Sequence, residues 1–302
     1  MPINLAQIKN ELLPGLREIT GDYDQIPTQW DKVFSRGVSK MAIERTSEMA
    51  FFGLAKFKAE GGAVEFDNAA GDRFVWNQEH IELGLGYAIT RKAIEDNLYK
   101  SEFPNATKKL MDSFAQTKEI LGANVLNTAT VYDTRVGGDG VSLCSTAHPI
   151  DGATWANRPA VDVDLNEAAL ENAETQIRYF PDQRGLRIMA RGEKLIVPPQ
   201  LKYVARRLLE TDLRPGTADN DTNALKAGND IRDGFIVMDF LTSPYAWFLK
   251  TNIDGLLYLQ RRAYETDMQV DFTTQNLLVL ATERFSFSYN NPRSIYGSFP
   301  TA

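Results

Sequence analysis

The chain has 302 residues, 43% of them hydrophobic, which is length for about two domains and apolar content for a buried core in each. Its 40 acidic and 33 basic residues give a formal net charge of −7 with the signs interspersed, so the basic stripe of a dedicated nucleic-acid binder is missing. Cys144 is the only cysteine, which excludes an intramolecular disulfide, and with no signal-peptide pattern and no run of eighteen apolar residues the chain reads as a soluble intracellular product.

Leu5, Ile8, Leu12 and Leu13 have helical spacing, but Pro14, Gly15 and Ile26-Pro27 interrupt it, so the first forty residues read as broken helix and extended segment. Such an arm needs a surface to lie on, either a neighbouring subunit or its own domain, and Trp30, Val33 and Phe34 are the expected anchors. From residue 49 to 86 the pattern changes to period two. A turn-rich stretch, 61–72, separates a limb around Phe57 from a return through Arg73-Phe74-Val75-Trp76, which predicts a long hairpin over 55–76 with Val64 and Phe66 at its tip. A two-stranded ribbon is marginal alone in water, so this one is expected to lie on a neighbour or flat on its own sheet.

A short helix over 90–98 is expected next, and then one long helix over 105–132. Leu110, Phe114, Leu121, Val125 and Ala129 keep one face of it, while Lys108, Lys109, Asp112, Gln116, Lys118, Glu119 and Asn127 fill the rest. Pro104 starts it, Gly137-Gly138-Asp139-Gly140 forbids any continuation, and its length of roughly 42 Å suits a beam. Asp164 with Glu167 makes a capping-box pattern for a second helix, whose Leu165, Ala169, Ala173 and Ile177 share a face. A buried strand over 194–197 comes next, then a helix from Pro198-Pro199 with Tyr203, Leu208 and Leu209 on its buried side, and a long polar surface loop over 211–232. Two strands are expected over 235–240 and 246–250, and the chain closes with 256–262, a turn-rich stretch and a long strand over 277–289. The mixture lacks a βαβ rhythm, which makes the fold class α+β.

No enzyme declares itself. Cys144 and His148 stand four apart and could form a nucleophile and its base, but no third orienting group is in view, and a small buried cysteine beside a loop histidine is the simpler reading. Two histidines, His80 and His148, leave almost no His-based zinc site. Asp219, Asp221 and Asn223 start like a calcium loop, yet Ala224 takes its glycine position and Asp230 its glutamate, so a solvated loop is expected. Gly84-Leu85-Gly86 lacks the third glycine of a dinucleotide fingerprint. No cofactor and no metal are expected.

The order of arm, projecting hairpin, beam helix, mixed domain, loop-bearing domain and closing strand resembles the major capsid proteins of tailed bacteriophages, the Hong Kong 97-type fold, and most closely the Mu-like major head subunit group. The stretches that carry the likeness are Leu12-Leu13-Pro14-Gly15-Leu16, residues 138–149, Leu195-Ile196-Val197-Pro198-Pro199, Ala246-Trp247-Phe248-Leu249, and the ending from Arg284-Phe285-Ser286-Phe287 through Asn291-Pro292-Arg293-Ser294-Ile295-Tyr296-Gly297. The resemblance implies an N-terminal arm over 1–49, an extended loop over 50–89, a spine helix over 105–132, a peripheral domain over 90–193 and 254–302, and an axial domain over 194–253. It implies a non-enzymatic head protein that assembles as pentamers and hexamers into an icosahedral shell around double-stranded DNA, with packaged DNA on the inner face and no membrane. A separate scaffolding protein and a portal would be partners, assembly would take place in the host cytoplasm, and the product would be a virion. Trp30, Phe34, Lys56, Lys58, Val64 and Phe66 are the implied intersubunit contacts. Some relatives join an extended-loop lysine to a neighbour's asparagine; Lys56, Lys58, Asn290 and Asn291 supply the residue types, but a non-covalent shell is expected. A small hydrolase using Cys144 and His148, or a phage tail protein, are the alternatives.

Overall fold

The structure is a computed structural model that describes residues 23, 26–49, 52–67, 72–95, 99–213 and 222–301. A 3-10 turn at Trp30–Lys32 leads into strands β1 (Ser35–Val38) and β2 (Ile43–Met49), and β3 (Asp72–Glu79) and β4 (Ile81–Ile89) come after the loop. Helices α1 (Arg91–Glu95) and α2 (Tyr99–Asn127) are next, then short strands β5 (His148–Ile150) and β6 (Ala153–Trp155) and helix α3 (Glu167–Arg178). The chain continues through β7 (Gly192–Val197), α4 (Lys202–Glu210), α5 (Ala224–Gly228), β8 (Phe235–Val237) and β9 (Trp247–Thr251), and closes with β10 (Leu256–Val270), β11 (Leu277–Tyr289) and β12 (Ile295–Ser298).

Two four-stranded sheets carry the architecture, ordered β1-β10-β11-β4 and β12-β9-β7-β8. Helix α2 lies along the first, its Leu110, Met111 and Phe114 packed with Ala281 of β11. It begins at Tyr99, earlier than the expected 105, and takes Pro104 into its body. The ring removes one helical bond there, a loss confined to the second turn. It ends at Asn127 rather than 132; Thr128 Oγ1 donates to the helix-end carbonyl of Asn124 at 2.7 Å, and Asn127 Nδ2 reaches out to the Phe240 carbonyl at 3.1 Å. Strand β10 runs on to Val270 through the stretch expected to be turns. Two register irregularities against β11, between Gln260 and Glu265, break the alternation that would have marked it as strand.

The second sheet is buried on both faces along Leu195-Ile196-Val197 of β7 and Trp247-Phe248-Leu249 of β9, which is why those stretches read as apolar runs. Leu195, Val197, Trp247 and Leu249 join α3's Leu170, Ala173 and Ile177 in one core, whereas Ile196 and Phe248 face the other core with Trp76, Leu126 and Phe285. Strand β12 is hydrogen-bonded to β9, so residues 295–298 sit in the sheet of the expected axial segment rather than with the closing peripheral one, and α3 covers that same sheet. Other local expectations shift for identifiable reasons. The N-cap of α3 is Asn166, whose Oδ1 accepts from Ala169 N at 2.8 Å; Asp164 lies two residues too early to reach. Tyr203 is 66% exposed while Leu208 is buried, and the polar stretch 211–232 contains α5, capped by Asn223.

Candidate assembly surfaces

The described end of the arm, residues 26–38, is bound to its own subunit. Trp30 and Phe34 are each 2% exposed; the Trp30 indole packs on Tyr258 and Phe287, and Phe34 meets Phe287 edge-on at 5.1 Å. The backbone N–H groups of Gln29 and Trp30 donate to the Glu119 carboxylate at 2.6 and 3.2 Å, and β1 adds to the sheet edge parallel to β10. Both aromatics are therefore core residues of the subunit. The cause is the surface that α2 offers: Gly122 leaves room against which a Cβ would come within 3.1 Å of Trp30, and Glu119 supplies the acceptors. Lys118 and Glu119, expected on the wet face, are buried. Lys118 Nζ lies 2.5 Å from Glu283, a fully buried carboxylate on β11 that also accepts from Tyr23 Oη at 3.1 Å. The signal for this pair was present, since Glu283 occupies an inward position of an alternating strand.

The projecting element divides into an anchored base and an unpaired distal loop. Strands β2 and β3 pair antiparallel from Ile43↔Glu79 to Met49↔Asp72, so the ribbon begins earlier than 55. Residues 52–67 form no strand; their turn is closed by Gly62 N donating to Ala59 O at 3.0 Å. Ile81–Ile89, expected within the extended loop, is instead an edge strand of the first sheet, because its inward residues Leu83 and Tyr87 reach the core under α2. The base is fixed. Trp76 is 1% exposed, and a Cβ on Gly138 would lie 2.1 Å from its ring, so the glycine at φ +85° is what lets that turn close over the indole.

Three arginines clamp the underside of this element. Arg293 Nη1 pairs with Glu48 at 2.6 Å while its Nε donates to Pro181 O, Arg73 pairs with Asp151, and Arg184 pairs with Asp67 at 2.5 Å. The Arg184 guanidinium, helped by Gly53 N–H, holds the Asp67 carboxyl below the usual carboxylate range. Above the clamps the loop is wet and apolar: Phe52, Leu54, Phe57, Val64 and Phe66 are 71, 76, 107, 63 and 94% exposed. Lys56 and Lys58 are exposed beside them, and Lys56 pairs with Glu65 across the two limbs. Residues that far out contribute nothing to the subunit's own core.

A groove of about 540 Å³ opens between the last turns of α2, the start of β4 and the end of β11. Leu121, Val125, Ile81, Val131, Val136 and Phe287 supply apolar lining, and Glu79, Asp133 and Arg135 stand among its polar residues.

Cys144 and His148 do not form a catalytic pair. The thiol is fully buried, and burial pushes it up, away from the reactive thiolate. His148 spends both ring nitrogens elsewhere, Nδ1 on Asp139 at 2.6 Å and Nε2 on Asn157 Oδ1 at 3.1 Å, and stacks on Trp155. Asn157 in turn donates to the carbonyls of Leu143, Pro292 and Ile295, so the cluster ties the glycine turn to the C-terminal strand. His80 is buried between Ser39 and Ser286. Asn223 caps a helix, Asp219 and Asp221 lie outside the described residues, and among the described residues no group of acidic, histidine and cysteine side chains could hold a metal. Asn291 accepts from Arg293 N in a capped turn. The Leu12–Leu16 stretch also lies outside the described residues, and among those described no helix is long and apolar enough to cross a membrane.

A family model described as phage capsid protein matches residues 81–298. The structure is similar to the capsid of a native GTA particle (13% identity, 90% of each chain, TM-score 0.56) and to a structure from Microbacterium phage Oxtober96 (11%, 91% of each, 0.54). It is also similar to the procapsid of bacteriophage JBD30 (13%, 99% of this chain and 77% of that one, 0.53). No curated protein matches the chain. A beam helix laid along one sheet, a second sheet at the far end and a clamped projecting loop make this α+β architecture the Hong Kong 97-type fold. The chain belongs to the phage capsid protein family.

Proposed function

We propose that the chain is the major head subunit of a tailed phage and builds, as pentamers and hexamers, the icosahedral shell around double-stranded DNA. The observation that carries this reading is the clamped loop with five large apolar side chains in water, a liability in a monomer and a joint in a shell. Val64, Phe66, Lys56 and Lys58 are contacts between subunits, and the loop is the device that joins them. Burying one phenylalanine such as Phe66 is worth about 2 kcal/mol, and symmetry repeats it at every copy. The role is structural rather than catalytic, in keeping with the family and with the inert Cys144.

Finer points belong to the same reading. The order of the sequence stretches supports the Mu-like head subunit group. The segments 90–193 with 254–294 serve as peripheral domain and 194–253 with β12 as axial domain around the five-fold and six-fold axes. A scaffolding protein and a portal are further partners, DNA lies on the inner face without sequence-specific contact, and shells form in the host cytoplasm and end in the virion.

The test pairs electron microscopy of the purified chain with a variant in which Phe57, Val64 and Phe66 become serine. Closed shells or capsomers are expected from the parent chain, and a folded subunit of unchanged melting temperature without particles from the variant. Tubes would point to a tail protein. A small oligomer that stays small at high concentration would overturn the proposal.

A further inference from the structure

We propose that His80 is a pin at the root of the β2-β3 ribbon, and that acid withdraws it, loosening the root of the projecting element while both large cores stay closed. The inference stands on the single subunit and needs no neighbouring copy.

The chain crosses between the first sheet and the ribbon twice. The first crossing is residues 39–42, between β1 and β2, and the second is His80 itself, the one residue between β3 and β4. Pairing within the ribbon starts at Ile43↔Glu79 and pairing of β4 with β11 ends at Ile81↔Phe285, so His80 belongs to neither ladder and its ring is left to tie the crossings together. Nε2 lies 2.8 Å from Ser39 Oγ and Nδ1 lies 3.1 Å from Ser286 Oγ on β11, in a site where Ser39, His80 and Ser286 are 2, 6 and 3% exposed. The Ser39 N–H in turn donates to Gln260 O on β10 at 2.9 Å. One imidazole thus holds both crossings against β10 and β11. Apolar packing adds little at the first crossing, where Val38 and Met41 are 79 and 63% exposed. The next ties along the ribbon are the Asn77 N–H to Val136 O and Trp76 beneath the Gly138 turn, and neither titrates.

The hydrogen bonds dictate where the ring carries its proton. Glu44 as a carboxylate can only accept, so the Ser39 hydroxyl donates to Glu44 Oε1 at 2.5 Å, takes the Met41 N–H at 3.2 Å, and meets the ring as an acceptor. Nε2 therefore bears the hydrogen, and Nδ1 accepts from Ser286. A second proton, on Nδ1, turns that acceptor into a donor, and the Ser286 hydroxyl must reverse and give up its acceptor. The new charge would also stand in a buried site near Arg284 of β11 and Arg261 of β10, with Glu44 of β2 opposing them. Burial first, and then the two arginines, hold the imidazole below its ordinary value of 6.5, and Glu44 offsets part of this. In water the ring returns to 6.5, so the open root binds a proton that the closed root refuses. The closed form is favoured in full above pH 6.5, and each pH unit below that favours opening by up to about tenfold until the folded value is passed.

The test uses the full chain over pH 5 to 7.5, with imidazole NMR signals and amide exchange corrected for the intrinsic rate at each pH. Two histidines give two imidazole signals, and the one missing from His80→Gln is that of His80. Its midpoint should lie below 6.5. Protection of the amides of 39–44 and 79–82 should fall several-fold, at most about tenfold, between pH 7.5 and pH 5.5, while that of α3 holds constant. Glutamine keeps one donor and one acceptor, so protection in His80→Gln should not change with pH. Glu44→Gln keeps an acceptor for Ser39 but removes the charge, and it should move the His80 midpoint further down, a shift that a merely structural ring would not show and that decides the matter if His80→Gln does not fold. Protection in the parent that changes less than twofold, an equal fall in His80→Gln, or a His80 midpoint at or above 6.5 would overturn the proposal.

Discussion

Replacing Lys118 by methionine would leave Glu283 as a carboxylate with no exposed surface and no cation, a change that tests directly how α2 is held on β11. Breaking a buried pair by removing one partner costs about 3–5 kcal/mol, because the remaining charge keeps its desolvation penalty. Lys118 also sits over the rings of Tyr23, Tyr258 and Phe285 at 4.8, 5.6 and 5.4 Å, and methionine keeps most of that packing, so the loss is electrostatic rather than a cavity. The double variant Lys118→Met, Glu283→Leu removes both charges; it should recover most of the loss and stand within about 1–2 kcal/mol of the parent. The two remaining hydroxyls, of Tyr23 and Tyr258, lose an acceptor in that background, which sets the residual cost. The assay is guanidinium unfolding of the unassembled subunit, read as the shift of midpoint at constant slope. A single variant that costs under about 1 kcal/mol, or a double variant as damaged as the sum of the two singles, would refute the reasoning.

Gly138→Ala places a Cβ inside the Trp76 ring at a φ of +85°. It should cost about 2–5 kcal/mol from overlap and left-handed strain together, measured by thermal unfolding. Cys144→Ala removes packing and no chemistry, so particle yield should be unchanged and stability should fall by at most a few kcal/mol; lost assembly with an intact fold would contradict this. Burial holds the Glu119 carboxyl above its ordinary value of 4.5, against the pull of the Gln29 and Trp30 N–H groups. The fold then binds that proton more tightly than the unfolded chain does. Its contribution is complete below pH 4.5 and is lost as pH rises through the folded value, so the stability of Glu119→Gln relative to the parent should improve from pH 4 to pH 7, by paired denaturant titrations.

The elements with clean periodicity were legible: Leu277–Tyr289 matches the expected strand, and the beam helix differs only at its ends. What pattern could not give was the partner of each face. Lys118 and Glu119 carry charge, so they read as solvent-facing, and only the fold brings Glu283 and the arm's N–H groups to them. Trp30 and Phe34 read as anchors correctly, but periodicity cannot say whether the surface beneath belongs to the same chain. On the loop the reverse holds. Val64 and Phe66 stand out in sequence as isolated apolar residues, and they are bare in the structure, whereas the groove is assembled from three separate stretches and has no local signature.

The first sheet joins segments that lie far apart along the chain. Strand β1 has Ser35 opposite Leu257 and Val38 opposite Gln260, and Ser35 Oγ donates to Asp254, 219 residues onward. A ribosome that has made the arm, the loop and the beam helix has not made β10, which holds β1, nor β11, so of the first sheet only the unpaired β1 and β4 exist. Closure over so many residues is slow, so the subunit reaches its native form late relative to the appearance of its loop. The clamps that aim the loop obey the same schedule, since Arg293 stands 245 residues beyond its partner Glu48. Nascent chains crowded on one message therefore carry exposed apolar loops without the clamps that set their angle. Chain order in this way delays the aiming of the loop until the C-terminal strands have been made.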